Sequence, residues 1–359
     1  MRRLCLQSEA LASIDHGGLL RVGPESAGAD PGPACYNLGN DRPTVTDANV
    51  VLGYISPTSL AGGQLPIDKA RSVQAIEKHV AGPLGISVED AAHGIRAVAN
   101  AAMGRAVRSV TVERGRDPRD LALVAMGGNG GIHAIDLARQ LGMRRVIVPP
   151  LSGVFSAVGM LGADIEHTHL KTILVPLDGL STPVLECWLK ELSDEILGRL
   201  EADGYTSDRA ELIWQADLRH EGQATELTVA FKPGADAPQM MQQRFAAEYL
   251  KTYGYKDETA IELVKIRLIG RGLRALRLDF ATMAFAERAM KSSARSRGVS
   301  FERNKRFTDT PIVSRQAVGE AKPGPLIIDE FDATIVVPPD ALVWRDAIGS
   351  IVMELGERT

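Results

Sequence analysis

At 359 residues, 45% of them hydrophobic and 24% charged, the chain is long enough for two or three domains with cores of their own and has an ordinary globular composition. A net charge of −4 excludes the basic face by which nucleic-acid and anionic-membrane binders hold phosphate, so neither is expected as a partner. Three scattered cysteines, Cys5, Cys35 and Cys187, form no disulfide framework or metal-ligand spacing, and no apolar run reaches the roughly 20 residues of a membrane span; the expected location is the cytoplasm.

Residues 1–65 are turn-rich. Ser26-Ala-Gly-Ala-Asp-Pro-Gly-Pro-Ala-Cys-Tyr36 holds two prolines and two glycines, too many for a helix or a central strand, and Ala34, Cys35 and Tyr36 give this ordered loop something to bury. Thr44-Val-Thr-Asp-Ala-Asn-Val-Val-Leu52 then offers Thr46 or Asp47 as the N-cap of a short helix, with Asp47 as readily a cap as a catalytic carboxylate. From 67 to 114 the pattern is helical. Ser87-Val-Glu-Asp90 is capping-box-like, and Val88, Ala92, Ile95, Ala99, Ala102, Ala106 and Val110 step by three and four into one apolar stripe. Its alanines predict a slim, central helix, on which His93 and Asn100 are expected as satisfied polar groups rather than ligands.

Leu123-Val-Ala-Met-Gly-Gly-Asn-Gly-Gly-Ile-His133 reads as an apolar strand running through four glycines straight into a helix over 132–140. Glycines between a strand end and a helix N-terminus let a flat or charged ligand approach the backbone, with the helix's free amides facing it. The cluster is neither a Walker A loop nor a Gly-X-Gly-X-X-Gly fingerprint. A Gly-Gly pair at this place is what the actin-like ATPase fold uses to accommodate adenosine. Arg144–Pro149 supplies the next strand, and Pro149-Pro-Leu-Ser152 a proline-led helix start with Ser152 as its cap. Strand, glycine turn, helix, strand, helix is the α/β pattern.

The second half changes character. Ile165–Pro176 is extended, with His167 and His169 on one face, where a metal ligand pair and a solvent-facing strand edge are both open readings. Residues 183–203 and 239–253 are helical. The stretch 212–231 alternates about Glu221-Gly222 as a hairpin, and Ile261–Ile269 is a strand. Residues 286–310 carry Arg288, Lys291, Arg295, Arg297, Arg303, Lys305 and Arg306 and read as a solvated basic linker, followed by short strands over 325–355.

Taken in order, Gly18-Leu-Leu-Arg-Val-Gly-Pro-Glu-Ser-Ala-Gly-Ala-Asp-Pro-Gly-Pro-Ala-Cys-Tyr36, Thr44–Gly53, Met126-Gly-Gly-Asn-Gly-Gly-Ile-His-Ala134, Val148–Gly159, His220-Glu-Gly-Gln-Ala-Thr-Glu-Leu227, Tyr253-Gly-Tyr255 and Gly324–Pro339 resemble the hydantoinase A / 5-oxoprolinase family, which includes the nucleotide-binding subunits of acetone- and acetophenone-type carboxylases. The resemblance implies an α/β fold: a partial actin-like (RNase H-like) ATPase half-domain over 1–170, then a smaller β-rich α+β C-terminal domain made of 171–285 and 311–359 about the basic linker. It also implies ATP-dependent opening of a cyclic amide, hydantoin or 5-oxoproline, with ATP and Mg2+ as cofactors, a hydantoinase B-type subunit or domain as partner, and an oligomeric assembly. The phosphate loops that precede the Gly18 segment in the family are not found in Met1–Ala12, so the isolated chain is expected to be inactive by itself. The alternatives are the nucleotide-binding subunit of an ATP-dependent ketone carboxylase and a non-catalytic assembly subunit. Gly127, Gly128, Asn129, Gly130 and Gly131 are the candidates for cofactor contact. Asp30, Asp47 and His133 are the catalytic candidates, and no metal ligands are named.

Overall fold

This computed structural model describes residues 9–274, 296–303 and 305–356, which divide into two compact units, 1–159 with 279–359 and 160–278. Cys5 and the part of the basic linker over 286–295 lie outside the described residues.

The first unit opens with the antiparallel hairpin β1 (Ala10–Ile14) and β2 (Leu20–Ser26). Helix α1 (Val45–Val51) follows the Pro/Gly loop. Its N-cap is Thr44, not Thr46 or Asp47: Thr44 is extended, its hydroxyl accepts the Asp47 N–H, and Asp47 closes the capping box from the third helical position. The short strands β3 (Ser59–Leu60) and β4 (Leu65–Pro66) pair before α2 (Lys69–Ile76), α3 (Gly82–Leu84) and the long α4 (Val88–Val110). Ser87 caps α4 as its sequence predicts, accepting the Asp90 N–H at 3.1 Å. Ala91, Ala92, Ile95 and Ala99 are fully buried, so the alanine stripe is the face that packs on α1, and the same helix packs on α5.

Strand β5 (Leu123–Val124) leads through the glycine turn into α5 (Gly130–Leu141), then β6 (Arg145–Val148) and α6 (Phe155–Gly162). Ser152 does not cap α6. A 3-10 turn over Ser152–Val154 precedes that helix, with Leu151 held left-handed at φ 54°, and the buried Ser152 hydroxyl makes no hydrogen bond.

The second unit is a two-layer α+β sandwich. Strands β7 (Ile165–Pro176), β8 (Ala210–His220), β9 (Leu227–Phe231) and β10 (Ile261–Gly272) form an antiparallel sheet in the order β7-β10-β8-β9. Helices α7 (Thr182–Ala202) and α8 (Ala237–Tyr253) bury Leu189, Leu192, Ile196, Met241 and Phe245 against Trp214, Ala216, Leu218, Ile266 and Leu268. The β8–β9 hairpin falls where the alternation about Glu221-Gly222 predicts. His167 bonds to Asp203, just past the end of α7, and His169 to Glu195 on α7, which accounts for both as partners of specific acids.

The chain then returns to the first unit. Strands β11 (Ser296–Val299), β12 (Thr308–Val313), β14 (Leu326–Asp329) and β15 (Thr334–Val337) form one sheet in that order. Strands β13 (Lys322–Pro323), β16 (Ala341–Arg345) and β17 (Ile351–Leu355) complete another, in the order β13-β16-β17-β6-β5, in which only β5 and β6 run parallel. This corrects the expected grouping of 311–359 with 171–285. Ile351, Val352 and Met353 pair with Val148, Ile147 and Val146, and the apolar residues of β14–β17 cover α5 in one core. Two stretches of the expected linker, 296–299 and 308–310, are likewise β-strand. Arg297 is nearly buried on Asp329, so it is withdrawn from the expected solvated run, whereas Arg303, paired with Asp90, stays exposed.

Candidate functional site

The glycine turn sits at the carboxyl ends of the two parallel strands, the place where open α/β sheets take ligands. Its path is fixed by backbone bonds. The Gly127 N–H donates to Ser152 O at 2.7 Å, Gly130 N–H to Gly127 O at 3.0 Å, and Thr334 N–H to Gly128 O at 3.1 Å. Gly127 is left-handed at φ 86°, a conformation that favours glycine. The other glycines differ in what surrounds them. A Cβ on Gly131 would lie 2.8 Å from Thr334 O and 2.9 Å from Ile335 Cγ1, whereas on Gly130 the nearest atom is 3.5 Å away. Gly131 is buried and serves the close approach of α5 to β15, so it does not join the ligand-facing group expected for it. Gly127, Gly128, Asn129 and Gly130 border open space.

Two cavities flank the turn and share Gly128 and Asn129. One, of about 340 Å³, is lined by Val45, Met103, Leu123, Val124, Ala125, Met126, Ala134 and Leu137, with His133 as a polar group in its wall. The other, of about 360 Å³, mixes polar and apolar surface and is bordered by the Ser56–Gly63 segment and by the Asp329–Thr334 turn.

His133 is one member of a closed ring of polar groups behind the turn, all buried but the half-exposed Asp136. Its Nδ1 lies 2.7 Å from Asn100 Oδ1, and its Nε2 lies 3.4 Å from Asn49 Nδ2. Asn100 Nδ2 donates to Asp136 at 3.3 Å, and the Arg96 guanidinium donates to Asp136 at 2.8 Å and to Asn49 Oδ1. Asn100 gives its amide hydrogens to a carboxylate, so its oxygen must accept from His133. That fixes the neutral Nδ1–H tautomer, with Nε2 as acceptor. Burial, with Arg96 nearby, holds the His133 pKa well below its ordinary value. Arg96 also stacks 4.1 Å above the Tyr54 ring centre. His133 is therefore a neutral group engaged on both nitrogens, not an acid or base poised for proton transfer.

The two acidic candidates do not reach the turn. Asp47 is completely buried. Its oxygens accept from the N–H groups of Ala34, Cys35 and Thr44 and from the hydroxyls of Thr44 and Ser72, at 2.7–3.1 Å. A carboxylate satisfied by five donors is the anchor of the Pro/Gly loop. Asp30 is exposed on that loop and lines neither cavity. Cys35 beside Asp47 is buried, which pushes its thiol pKa far up and leaves it a poor nucleophile.

Two arginines that sequence reasoning did not single out support the walls. Arg315 grips Glu330 with two bonds of 2.6 and 2.7 Å and donates to the carbonyls of Val148, Pro149 and Gly349. Arg297 holds Asp329 and the Tyr54 carbonyl. Arg297 is lost among the other basic residues of its stretch and Arg315 stands alone in a neutral one; only the fold reveals their partners. Among the described residues no three His, Cys, Asp or Glu side chains converge to hold a metal ion, and no helix is long and apolar enough to cross a membrane.

The hydantoinase/oxoprolinase family model matches residues 9–169. The chain is 34% identical over 347 residues to caprolactamase subunit alpha from Pseudomonas jessenii, covering 94% of this chain and 49% of that protein. To the acetophenone carboxylase gamma subunit of Aromatoleum aromaticum it is 30% identical, covering 96% and 49%. The crystal structure of ATP-dependent caprolactamase from Pseudomonas jessenii superposes with a TM-score of 0.80 at 31% identity, over 98% of this chain and 52% of that one. The chain thus spans about half the length of these relatives.

Proposed function

The chain belongs to the hydantoinase/oxoprolinase family, and on that premise we propose that it is the component of an ATP-dependent enzyme that holds the nucleotide while a cyclic amide is activated for hydrolysis. The observation that carries this reading is the glycine turn itself: backbone open to a ligand at the tips of two parallel strands, with a cavity on either side. The apolar cavity fits a purine in shape and chemistry. It presents aliphatic and thioether surface, and its one imidazole is neutral, so no charge opposes a base. Gly127, Gly128, Asn129 and Gly130 would meet the base and ribose, and the N-terminal end of α5 presents the positive end of its dipole to anionic groups.

ATP, held at the glycine turn by Gly127, Gly128, Asn129 and Gly130, would supply the phosphoryl group that makes the amide carbon electrophilic, with Mg2+ to neutralise its phosphates. The chain's part is to bind and orient. The ring of Asn49, Arg96, Asn100, His133 and Asp136 holds α1, α4 and α5 together behind the turn, and Arg315 holds the facing loops. Relatives named as subunits support assembly with a second polypeptide, for which we propose a hydantoinase B-type partner. The similarity to the acetophenone carboxylase subunit favours a second reading, the nucleotide-binding subunit of a ketone carboxylase. Bicarbonate-dependent ATP turnover by the assembled enzyme would select that reading, and ring opening without bicarbonate the first.

The test is equilibrium binding of a fluorescent ATP analogue to the purified chain. Gly128→Val places side-chain atoms against Asp332 O, already 3.1 Å from a Cβ at that position, and into both cavities. It should abolish binding while the second unit keeps its helical circular dichroism. Unchanged affinity would remove the assignment.

A further inference from the structure

Strand β5 is the outer strand of its sheet, with β6 on one side and no strand on the other among the described residues. Its main chain, continued through Met126, alternates. The Leu123 carbonyl and the Ala125 N–H hold Ile147 of β6 across the parallel ladder, the latter at 2.9 Å, and the Gly127 N–H reaches Ser152 O at 2.7 Å. The Val124 carbonyl and the Met126 N–H therefore face the open edge, and neither finds a hydrogen bond among the described residues. At an ordinary sheet edge such groups meet bulk water. Here they border the apolar cavity of about 340 Å³. Leu123, Val124, Ala125 and Met126 all line it although their side chains alternate between the two faces of the strand, so it runs along the open edge rather than over one face. The side chains around it cannot read a base. They are aliphatic or thioether, His133 has both ring nitrogens engaged, and Asn129 stands at the turn where the two cavities meet.

Resting on the nucleotide reading above, we propose that this main-chain pair selects the base: the Met126 N–H donates to N1 of adenine and the Val124 carbonyl accepts from its 6-amino group, so the site takes adenine and rejects guanine. The spacing is that of strand pairing itself. In a parallel ladder a carbonyl and the N–H two residues on hold one residue's N–H and C=O, as Leu123 and Ala125 hold Ile147, and adenine presents the same donor beside an acceptor. Guanine reverses the order, with an oxo acceptor at position 6 and an N–H at position 1. Two acceptors would then oppose each other at Val124 and two donors at Met126. In a cavity walled by apolar side chains, groups left unpaired in this way are costly, and a site that hydrogen-bonds one base discriminates strongly against its mismatch. With the base against the strand edge, the ribose falls at the glycines that follow it in the chain, where the backbone is open.

The experiment is calorimetric or ligand-observed NMR titration of the full chain with ADP, GDP, N6,N6-dimethyl-ADP and 7-deaza-ADP, with ADP and GDP repeated for Met126→Pro. ADP should bind at least about tenfold more tightly than GDP and than the dimethyl derivative, which has no N–H to give. The 7-deaza derivative, unaltered at N1 and at the amino group, should keep the affinity of ADP. Proline at 126 removes the donor without taking a bond from the fold, and an edge position whose N–H faces outward tolerates it. Met126→Pro should therefore keep the melting temperature while ADP affinity falls about fivefold or more, the worth of one hydrogen bond, and the gap to GDP narrows. In the parent chain, GDP or dimethyl-ADP bound as tightly as ADP overturns the adenine selection and leaves the nucleotide reading standing. Loss of 7-deaza-ADP affinity overturns the use of N1, as does unchanged ADP affinity in a folded Met126→Pro chain. If none of the four nucleotides binds, the nucleotide reading falls and this inference with it.

Discussion

Adjacent glycines in one turn have different duties, and substitution separates them. Gly131→Ala drives a methyl into the Thr334 carbonyl and Ile335, and should cost about 1–3 kcal/mol of stability by overpacking. Gly130→Ala meets only ordinary van der Waals distances, and its melting temperature should match or slightly exceed that of the parent, since alanine restricts the unfolded chain more. Asp47→Asn keeps the shape but turns an acceptor for five donors into a group whose own N–H2 must face some of them. Roughly 3 kcal/mol of destabilisation is expected, read by urea unfolding, with faster proteolysis of the 26–36 loop. His133 gives a pH signature. It stays neutral in the fold because burial lowers its pKa, while the unfolded chain takes up a proton near the ordinary value of 6.5. The unfolded state therefore gains protons as pH falls, and stability should decline below about pH 6.5, with no such contribution above it. Denaturant midpoints at pH 7.5 and 5.5 should draw apart more for the parent than for His133→Gln; identical shifts would count against His133 staying neutral in the fold. The sequence showed Asp47 and His133 as residues with chemistry to offer. It could not show that two backbone amides from the neighbouring loop converge on one and a ring of polar side chains encloses the other.

Elements were legible in proportion to how local their causes are. The period of the alanine stripe and the Ser87 cap specify α4 without help, and the alternation about Glu221-Gly222 specifies the β8–β9 hairpin. The N-cap of α1 is Thr44 rather than Thr46 or Asp47, because Asp47, whose other partners lie outside the helix, closes the box from the third helical position. Strands β11 and β12 were hidden in a basic stretch, because Arg297 reads as surface until Asp329 is brought opposite. The same logic makes Arg315 a sensitive position. Removing its side chain, as in Arg315→Met, leaves the partly buried Glu330 and three carbonyls without their donor. A loss of about 3–5 kcal/mol is expected for breaking such a pair. Arg315→Lys retains the charge but not the planar fork, and should fall between the two in thermal unfolding while weakening binding of the ATP analogue, since the loops beside Gly127 and Gly128 lose their common clamp.

At the scale of the molecule, the first unit is assembled from two separated stretches of sequence, and the second lies between them. The expectation of a C-terminal domain running from 171 onward failed here, because β6 carries nothing in its own sequence to say that its partner is β17. Cutting the chain after residue 310 should therefore damage the early half: β6 loses its neighbour, α5 loses its cover, and the glycine turn loses the Thr334 bond. Hydrogen exchange should show deprotection of α5 and β6 with the β7–β10 sheet still protected. The interrupted layout also bears on biosynthesis. As the ribosome works from the amino end, β6 emerges early but must wait with an unsatisfied edge until nearly the whole polypeptide has been released, while the intervening sandwich has every strand it needs and can condense ahead of it. Maturation of this protein should then proceed from the middle outward, and it is the nascent nucleotide half that would depend on molecular chaperones.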